Sequence, residues 1–274
     1  MTLVSVVKNV NCLMLNSELS ITILPKCDPI MNSTDFENSW GNQTRAESYA
    51  KLEFPNTYYL AYRDLPEIIS THITGNRAVD FGCGTGRSTR FLKQLGFNVT
   101  GIDISADMLA NARKFDEGGD YRLVTNGKYS HLGNGQYDLV QSIFTFDNIP
   151  GWQTRTEILS GLRDLLKPSG KIVCLGSTPE LYTNEWASFT TKDFPENWLA
   201  RTGDIVRDIM LDVEDRRPVE DIFWTVEDYH KLFSDAGLIL EATYKPLGYR
   251  DEPFEWKSEF SIAPWMIFVL GRPI

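Results

Sequence analysis

Residues 78–87, Ala-Val-Asp-Phe-Gly-Cys-Gly-Thr-Gly-Arg, hold the side chains and spacing best suited to ligand binding. A short apolar run ends in a carboxylate, Asp80, and glycines follow at 82, 84 and 86. Glycine serves where a backbone must turn sharply, adopt positive φ or touch a ligand with no side chain between. The spacing is G-x-G-x-G and not the G-x-G-x-x-G of the dinucleotide fingerprint. Three further features follow along the chain. Asp103 ends a second apolar run, where a carboxylate can accept both hydroxyls of a ribose. Asn126-Gly127 follows a third run, and residues 142–148 end a fourth. An open parallel sheet gathers such features beyond the carboxyl ends of its strands, where the strand order reverses.

These features need strands and helices to place them, and the hydrophobic pattern supplies both. It predicts strands over 78–81, 98–102, 121–124, 137–143 and 171–175, alternating with helices over 88–95, 106–114 and 154–166. Ser105 is placed to cap the second of these helices. Ile158, Leu159, Leu162, Leu165 and Leu166 line one face of the third, which Pro168-Ser169-Gly170 should stop. Such alternation implies a parallel sheet covered on both faces. A helix over 56–65, between Pro55 and Pro66 with Asn56 as N-cap, precedes this core. A helix over 226–236 capped by Thr225, then strands over 238–244 and 265–270, close the chain. Residues 177–222, rich in aromatics and charges, show no clear period.

The 274 residues suffice for one large domain, or one domain with an insertion. Hydrophobic content of 42% provides for a substantial core. A formal charge of −10 with no basic stripe argues against a nucleic-acid partner. Cys12, Cys27, Cys83 and Cys174 are scattered, so neither a zinc site nor a disulfide framework is expected, and a reduced, cytoplasmic setting fits. His72, His131 and His230 sit in separate segments, and no metal site is expected. No run reaches the roughly 18 apolar residues of a membrane helix, so no membrane partner is expected. The opening residues lack the basic start and clean apolar run of a signal peptide. Residues 1–35 are expected to be a flexible extension, with one domain over 36–274.

Four ordered motifs resemble the class I S-adenosylmethionine-dependent methyltransferases. They are Val79-Asp80-Phe81-Gly82-Cys83-Gly84-Thr85-Gly86, Val99-Thr100-Gly101-Ile102-Asp103-Ile104-Ser105, Tyr137-Asp138-Leu139-Val140-Gln141-Ser142 and Leu165-Leu166-Lys167-Pro168-Ser169-Gly170-Lys171-Ile172-Val173. The resemblance covers residues 75–176 and 225–271. It implies an α/β, Rossmann-like, seven-stranded and mostly parallel sheet of order 3-2-1-4-5-7-6, an N-terminal helical cover over 36–70 and an inserted cap over 177–222. It also implies S-adenosyl-L-methionine as cofactor and direct in-line methyl transfer to a small molecule. Gly82, Cys83, Gly84 and Gly86 would let the methionine part lie against backbone. Asp80 would orient that loop and the cofactor's amino group. Asp103 would hold the ribose, and Ile104 and Met108 would sandwich the adenine. Asn126, where the family often has Asp, would meet the adenine amino group beside the Gly127 amide. Ser142 would contact the methionine portion through its backbone. In the cover, Arg63 is placed to pair with the cofactor carboxylate, and Trp40, Tyr49 and Tyr59 either close over it or simply pack.

The methyl acceptor is less legible. Asp147 stands where many small-molecule members carry paired histidines; it reads equally as a base or electrostatic partner and as a helix-cap or loop acid. Phe146, Tyr182 and Trp186 are the candidate acceptor contacts, and 177–222 suits either an acceptor cap or a lid or homodimer surface. The signatures of adenine amino and cytosine C5 methylation are absent. RNA or protein methylation, a non-catalytic S-adenosylmethionine-binding module and a nicotinamide-dependent oxidoreductase stand as alternatives.

Overall fold

The computed structural model of the chain describes residues 54–125 and 127–273. The expected extension over 1–35, together with Trp40, Tyr49 and Asn126, lies outside the described residues. Two short helices come first, α1 (Thr57–Arg63) and α2 (Leu65–His72). The alternating core follows: β1 (Arg77–Phe81), α3 (Arg87–Gln94), β2 (Asn98–Asp103), α4 (Ala106–Phe115), β3 (Asp120–Leu123), β4 (Tyr137–Ile143), α5 (Trp152–Leu165) and β5 (Leu166–Ser177). Three further strands are β6 (Phe189–Thr190), β7 (Ile205–Met210) and β8 (Val219–Ile222). Helix α6 (Val226–Asp235), β9 (Ile239–Tyr244) and β10 (Trp265–Gly271) complete the described chain.

The large sheet has the order β3-β2-β1-β4-β5-β10-β9. Counting only its own strands, this is the expected 3-2-1-4-5-7-6. Strand β1 pairs in parallel with β2 and β4, β2 with β3 and β4 with β5, while β10 runs antiparallel to β5 and β9. The central strands are buried on both faces, as a covered parallel sheet requires. Alternate residues of β10 enter opposite layers: Trp265, Ile267 and Val269 join one core with Leu60 and Leu65, and Met266, Phe268 and Leu270 join the other with Leu159 and Leu162.

Most helix limits follow from local chemistry. Ser105 caps α4 by accepting from the Met108 amide, and Thr225 and Asp228 form a reciprocal capping box on α6. Two expectations are corrected. Pro66 does not stop the N-terminal helix; it lies in the first turn of α2, where its missing N–H removes no helical bond. Asn56 precedes α1 as expected, but its side chain donates to Asp212 instead of capping.

Residues 177–222, aperiodic in sequence, fold around the small antiparallel sheet β6-β7-β8. The inward positions of β7 are Val206, Asp208 and Met210. A buried acid in the middle of that face hides the alternation from a hydrophobicity reading.

Helix α1 is stitched to distant chain by a buried polar hub. Glu259 is fully buried, and its Oε1 accepts from Thr57 Oγ1 and the Ala187 amide, each at 2.7 Å. Its Oε2 accepts from the Lys257 amide. Thr57 Oγ1 in turn accepts from the Ser188 amide at 2.9 Å, and Trp265 Nε1 donates to the Thr57 carbonyl. The hub joins α1, the segment leading into β6, the 257–260 turn and β10. A Thr57→Val change preserves shape but orphans the Ser188 amide and removes a donor from Glu259. It should cost about 2 kcal/mol of unfolding free energy, measured by chemical denaturation; a loss within error of zero would contradict the hub.

Candidate functional site

Strand order reverses at β1, where the chain winds outward through β2 and β3 and then returns to β4 and β5. The glycine turn leaves β1 at this switch point. Gly82, Gly84 and Gly86 all take positive φ, at 67°, 52° and 80°. Close approach also matters at the first of them: a Cβ on Gly82 would lie 2.2 Å from Thr145 Cγ2. The Gly82 and Cys83 amides donate to the Ile102 carbonyl, tying the turn to β2.

Asp80 is wholly buried beneath the turn. Its Oδ2 accepts from Ser88 Oγ at 2.7 Å and from Thr89 Oγ1 at 2.6 Å, so it holds the start of α3 against β1. Gln141 Nε2 lies 3.5 Å from Oδ1. Burial outweighs these bonds and raises the Asp80 carboxyl to about 6. Asp103, at the tip of β2, accepts from the Gly84 amide at 2.9 Å and the Ser105 amide at 2.8 Å, one on each oxygen. Burial raises its carboxyl too, against these backbone bonds. Ile104 beside it is 54% exposed, and Met108 lies buried one turn along α4. Ser142, at the end of β4, is buried, and its Oγ has no hydrogen-bond partner among the described residues. The Cys83 side chain packs away from the turn, among Leu109, Ala112 and Tyr121. Gly127 lies in the turn closed by the Thr125–Lys128 bridge after β3.

The turn, Asp80, Asp103, Ile104, Met108 and Ser142 therefore gather at neighbouring strand ends. A nucleoside joined to an amino-acid chain fits this donor set. A Cβ on Gly84 would meet nothing within 4 Å among the described residues, leaving open backbone for a close ligand. Each Asp103 oxygen keeps lone-pair capacity for a hydroxyl donor. Ile104 offers an exposed apolar face to a flat base.

Other residues expected at the site have different partners in the structure. Arg63 is engaged outside the glycine turn. Its Nε and one terminal nitrogen donate to Asp64, and the other donates to Glu252 at 2.7 Å and the Leu247 carbonyl at 2.9 Å. The guanidinium also lies over Tyr249, and hydrogen bonding to Asp64 and Glu252 raises its pKa further. Tyr59, four residues earlier on the same helical face, packs on Phe254. The adjacent face carries Tyr58 and Tyr62, and the cation near those rings is Arg87, the first residue after the turn.

Asp147 is 4% exposed and satisfied internally. Its Oδ2 accepts from the Ser177 amide at 3.1 Å and Ser177 Oγ at 2.9 Å, and its Oδ1 from Tyr229 OH at 3.3 Å. Burial raises its carboxyl, opposed by those bonds and by Arg155. The geometry is that of an acid fastening the post-β4 loop to the end of β5, not of a base facing an acceptor. Phe146, Tyr182 and Trp186 are likewise interior. Phe146 packs against Phe81, Tyr182 OH donates to Asp221, and Trp186 Nε1 donates to the Leu181 carbonyl. Large aromatics with satisfied polar atoms are core material. The sequence reading also missed Thr145, Arg87 and Glu259. Only Arg87, directly after the glycines, carried a usable sequence signal.

Residues 79–174 match a family model described as a methyltransferase domain. A ubiquinone biosynthesis O-methyltransferase from Nitrosococcus oceani is 32% identical over 124 residues, covering 42% of this chain and 51% of that protein. A malonyl-[acyl-carrier protein] O-methyltransferase from Enterobacter lignolyticus is 30% identical over 129 residues, covering 46% and 49%. The chain thus spans about half the length of these curated relatives. The solved structure of an S-adenosylmethionine-dependent methyltransferase from Clostridium acetobutylicum superposes with a TM-score of 0.55 at 13% identity, over 82% of this chain and 94% of that one. One from Mesorhizobium loti gives 0.54 at 21% identity, over 76% and 97%. The fold is that of the class I S-adenosylmethionine-dependent methyltransferases. The part of this chain that matches the methyltransferase-domain model is residues 79–174.

The Asp80 carboxyl yields a signed pH dependence. It titrates near pH 6 in the fold against an ordinary 3.8. Its contribution to stability is complete below about pH 3.8 and is lost as pH rises through about 6, because only the folded state keeps the proton between those values. An Asp80→Asn chain lacks this titration. Relative to the parent, its melting temperature should therefore rise between pH 4 and pH 7; an offset that stays constant with pH would contradict the assignment.

Proposed function

We propose that the protein transfers the methyl group of S-adenosyl-L-methionine to a small-molecule acceptor by direct in-line displacement. The observation that carries this reading is the Asp103 carboxylate bonded to the Gly84 amide, beside an open stretch of glycine backbone at the switch point. The matched domain supports it, as do the O-methyltransferase names of the relatives.

The bound cofactor supplies a sulfonium-activated methyl group, so the protein's task is alignment and exclusion of water. In this reading Asp103 accepts the ribose hydroxyls while its backbone bonds fix its rotamer. The backbone of Gly82, Cys83, Gly84, Gly86 and Ser142 would hold the methionine portion. Ile104 and Met108 hold the adenine faces, and Asn126 and the Gly127 amide meet its polar edge. Asp80 acts beneath them, keeping β1 and α3 in register. Residues 36–274 form the working domain, and the β6-β7-β8 region is the cap that selects the acceptor. No helix among the described residues is long and apolar enough to cross a membrane.

Titration calorimetry with S-adenosylhomocysteine, S-adenosylmethionine and NAD tests the cofactor. Binding of the first two and not the third is expected, with Asp103→Ala weakening both by at least about tenfold, the worth of a good charged hydrogen bond. Tight NAD binding alone would overturn the reading. Binding with no transfer to any of a panel of phenols, carboxylates and amines would overturn the transferase assignment and leave the binding site standing.

A further inference from the structure

The bulky residue at the end of β4 has an unusual backbone. Phe144 takes φ +59°, and among the described residues only Asn56 is another non-glycine at positive φ. An aromatic residue resists this left-handed conformation, so surrounding structure must hold it there. Here the Phe144 amide donates to the Leu175 carbonyl on β5, and its ring packs on Trp265 at 4.7 Å and Tyr58 at 5.8 Å.

The consequence appears one residue later. The left-handed step turns the chain off β4 and across the end of β1. It sets Thr145 directly on the glycine turn, in the space a Gly82 side chain would fill, with Thr145 Cγ2 and Oγ1 2.2 and 2.3 Å from that Cβ position. Thr145 Oγ1 lies 3.1 Å from the Phe81 carbonyl, 3.3 Å from that of Ile143 and 3.5 Å from that of Gly82. Two of these three acceptors flank the junction of β1 with the glycine turn, and the nearest is the last residue of β1. The hydroxyl does not cap the short helical turn that Thr145 precedes, Phe146–Asn148. Its geometry serves the glycine turn.

We propose that Thr145 is a positioning residue for the cofactor. By filling the Gly82 side-chain space and bonding the Phe81 carbonyl, it holds the glycine turn in its binding shape, and the left-handed step at Phe144 delivers it there. The inference rests on the cofactor reading given above. Because the Phe144 ring is seated against β10 and α1, the same two residues tie the cofactor turn to the aromatic layer under the cover helix.

The test is S-adenosylhomocysteine affinity of the full chain by calorimetry, with melting temperature recorded in parallel. Thr145→Val keeps the shape and loses the donor, and its dissociation constant should rise about tenfold. Thr145→Ser restores the hydroxyl and should stay within about threefold of the parent. Phe144→Gly keeps the left-handed step and should also bind within about threefold, although it loses ring packing. Phe144→Val, whose β-branch disfavours positive φ, should weaken binding at least about fivefold. A Thr145→Val chain that melts lower but binds like the parent would reduce Thr145 to a structural role and overturn the proposal. If that variant fails to fold, equal affinity of Phe144→Gly and Phe144→Val overturns it. A parent chain that binds no S-adenosylhomocysteine sinks the cofactor reading, whereas normal parental binding with indifferent variants sinks this proposal alone.

Discussion

Three strand ends converge on one short turn, and the structure depends on that convergence. β2 accepts the Gly82 and Cys83 amides at the Ile102 carbonyl and returns the Asp103 carboxylate to the Gly84 amide. The chain leaving β4 places Thr145 against Gly82, and β1 itself buries Asp80 beneath. Each contact uses backbone that a side chain would obstruct, so the glycines matter for what they allow to approach as much as for how they bend. A buried carboxylate under such a turn is costly, as the rise of Asp80 to about 6 records. Two hydroxyl donors from the first turn of α3 offset that cost and bind helix to strand.

Around this centre, the accessory segments are fixed by polar ties more than by regular structure. Glu259 joins three parts of the chain through one carboxylate, and Arg63 binds the segment around Leu247 and Glu252. Asp147 ties the post-β4 loop to the end of β5, and Asp221 of β8 ties the same loop to the small sheet. Asp147 bonds Ser177, while Asp221 accepts from Asn148 and Tyr182. Burial, reinforced by Asp147 and Asp208, raises the Asp221 carboxyl well above the ordinary carboxylate range. Acids enclosed this way favour one arrangement of the 177–222 region, since another would leave a buried polar group unpaired. They also explain why aromatics of the insertion that looked available to an acceptor are interior: Tyr182 and Trp186 close the space under the small sheet.

The periodic elements and their order were legible in the chain because they rest on local rules. Alternating apolar runs, the Ser105 cap, the Thr225 cap and glycines after an apolar run ending in Asp80 each act over a few residues. Partner choice across long separations was hidden. Helical spacing groups Tyr59 with Arg63 and Tyr58 with Tyr62 but cannot say which pair faces Arg87; docking of α1 against α3 decides that. Composition offered Asp147 as base or loop acid, and burial against Ser177 and Tyr229, residues 30 and 82 positions away, chose the second. The left-handed step at Phe144 has no local sequence cause, for no aromatic residue prefers it. Contacts from β5, β10 and α1 impose it, and Thr145 reaches the glycine turn only because they do.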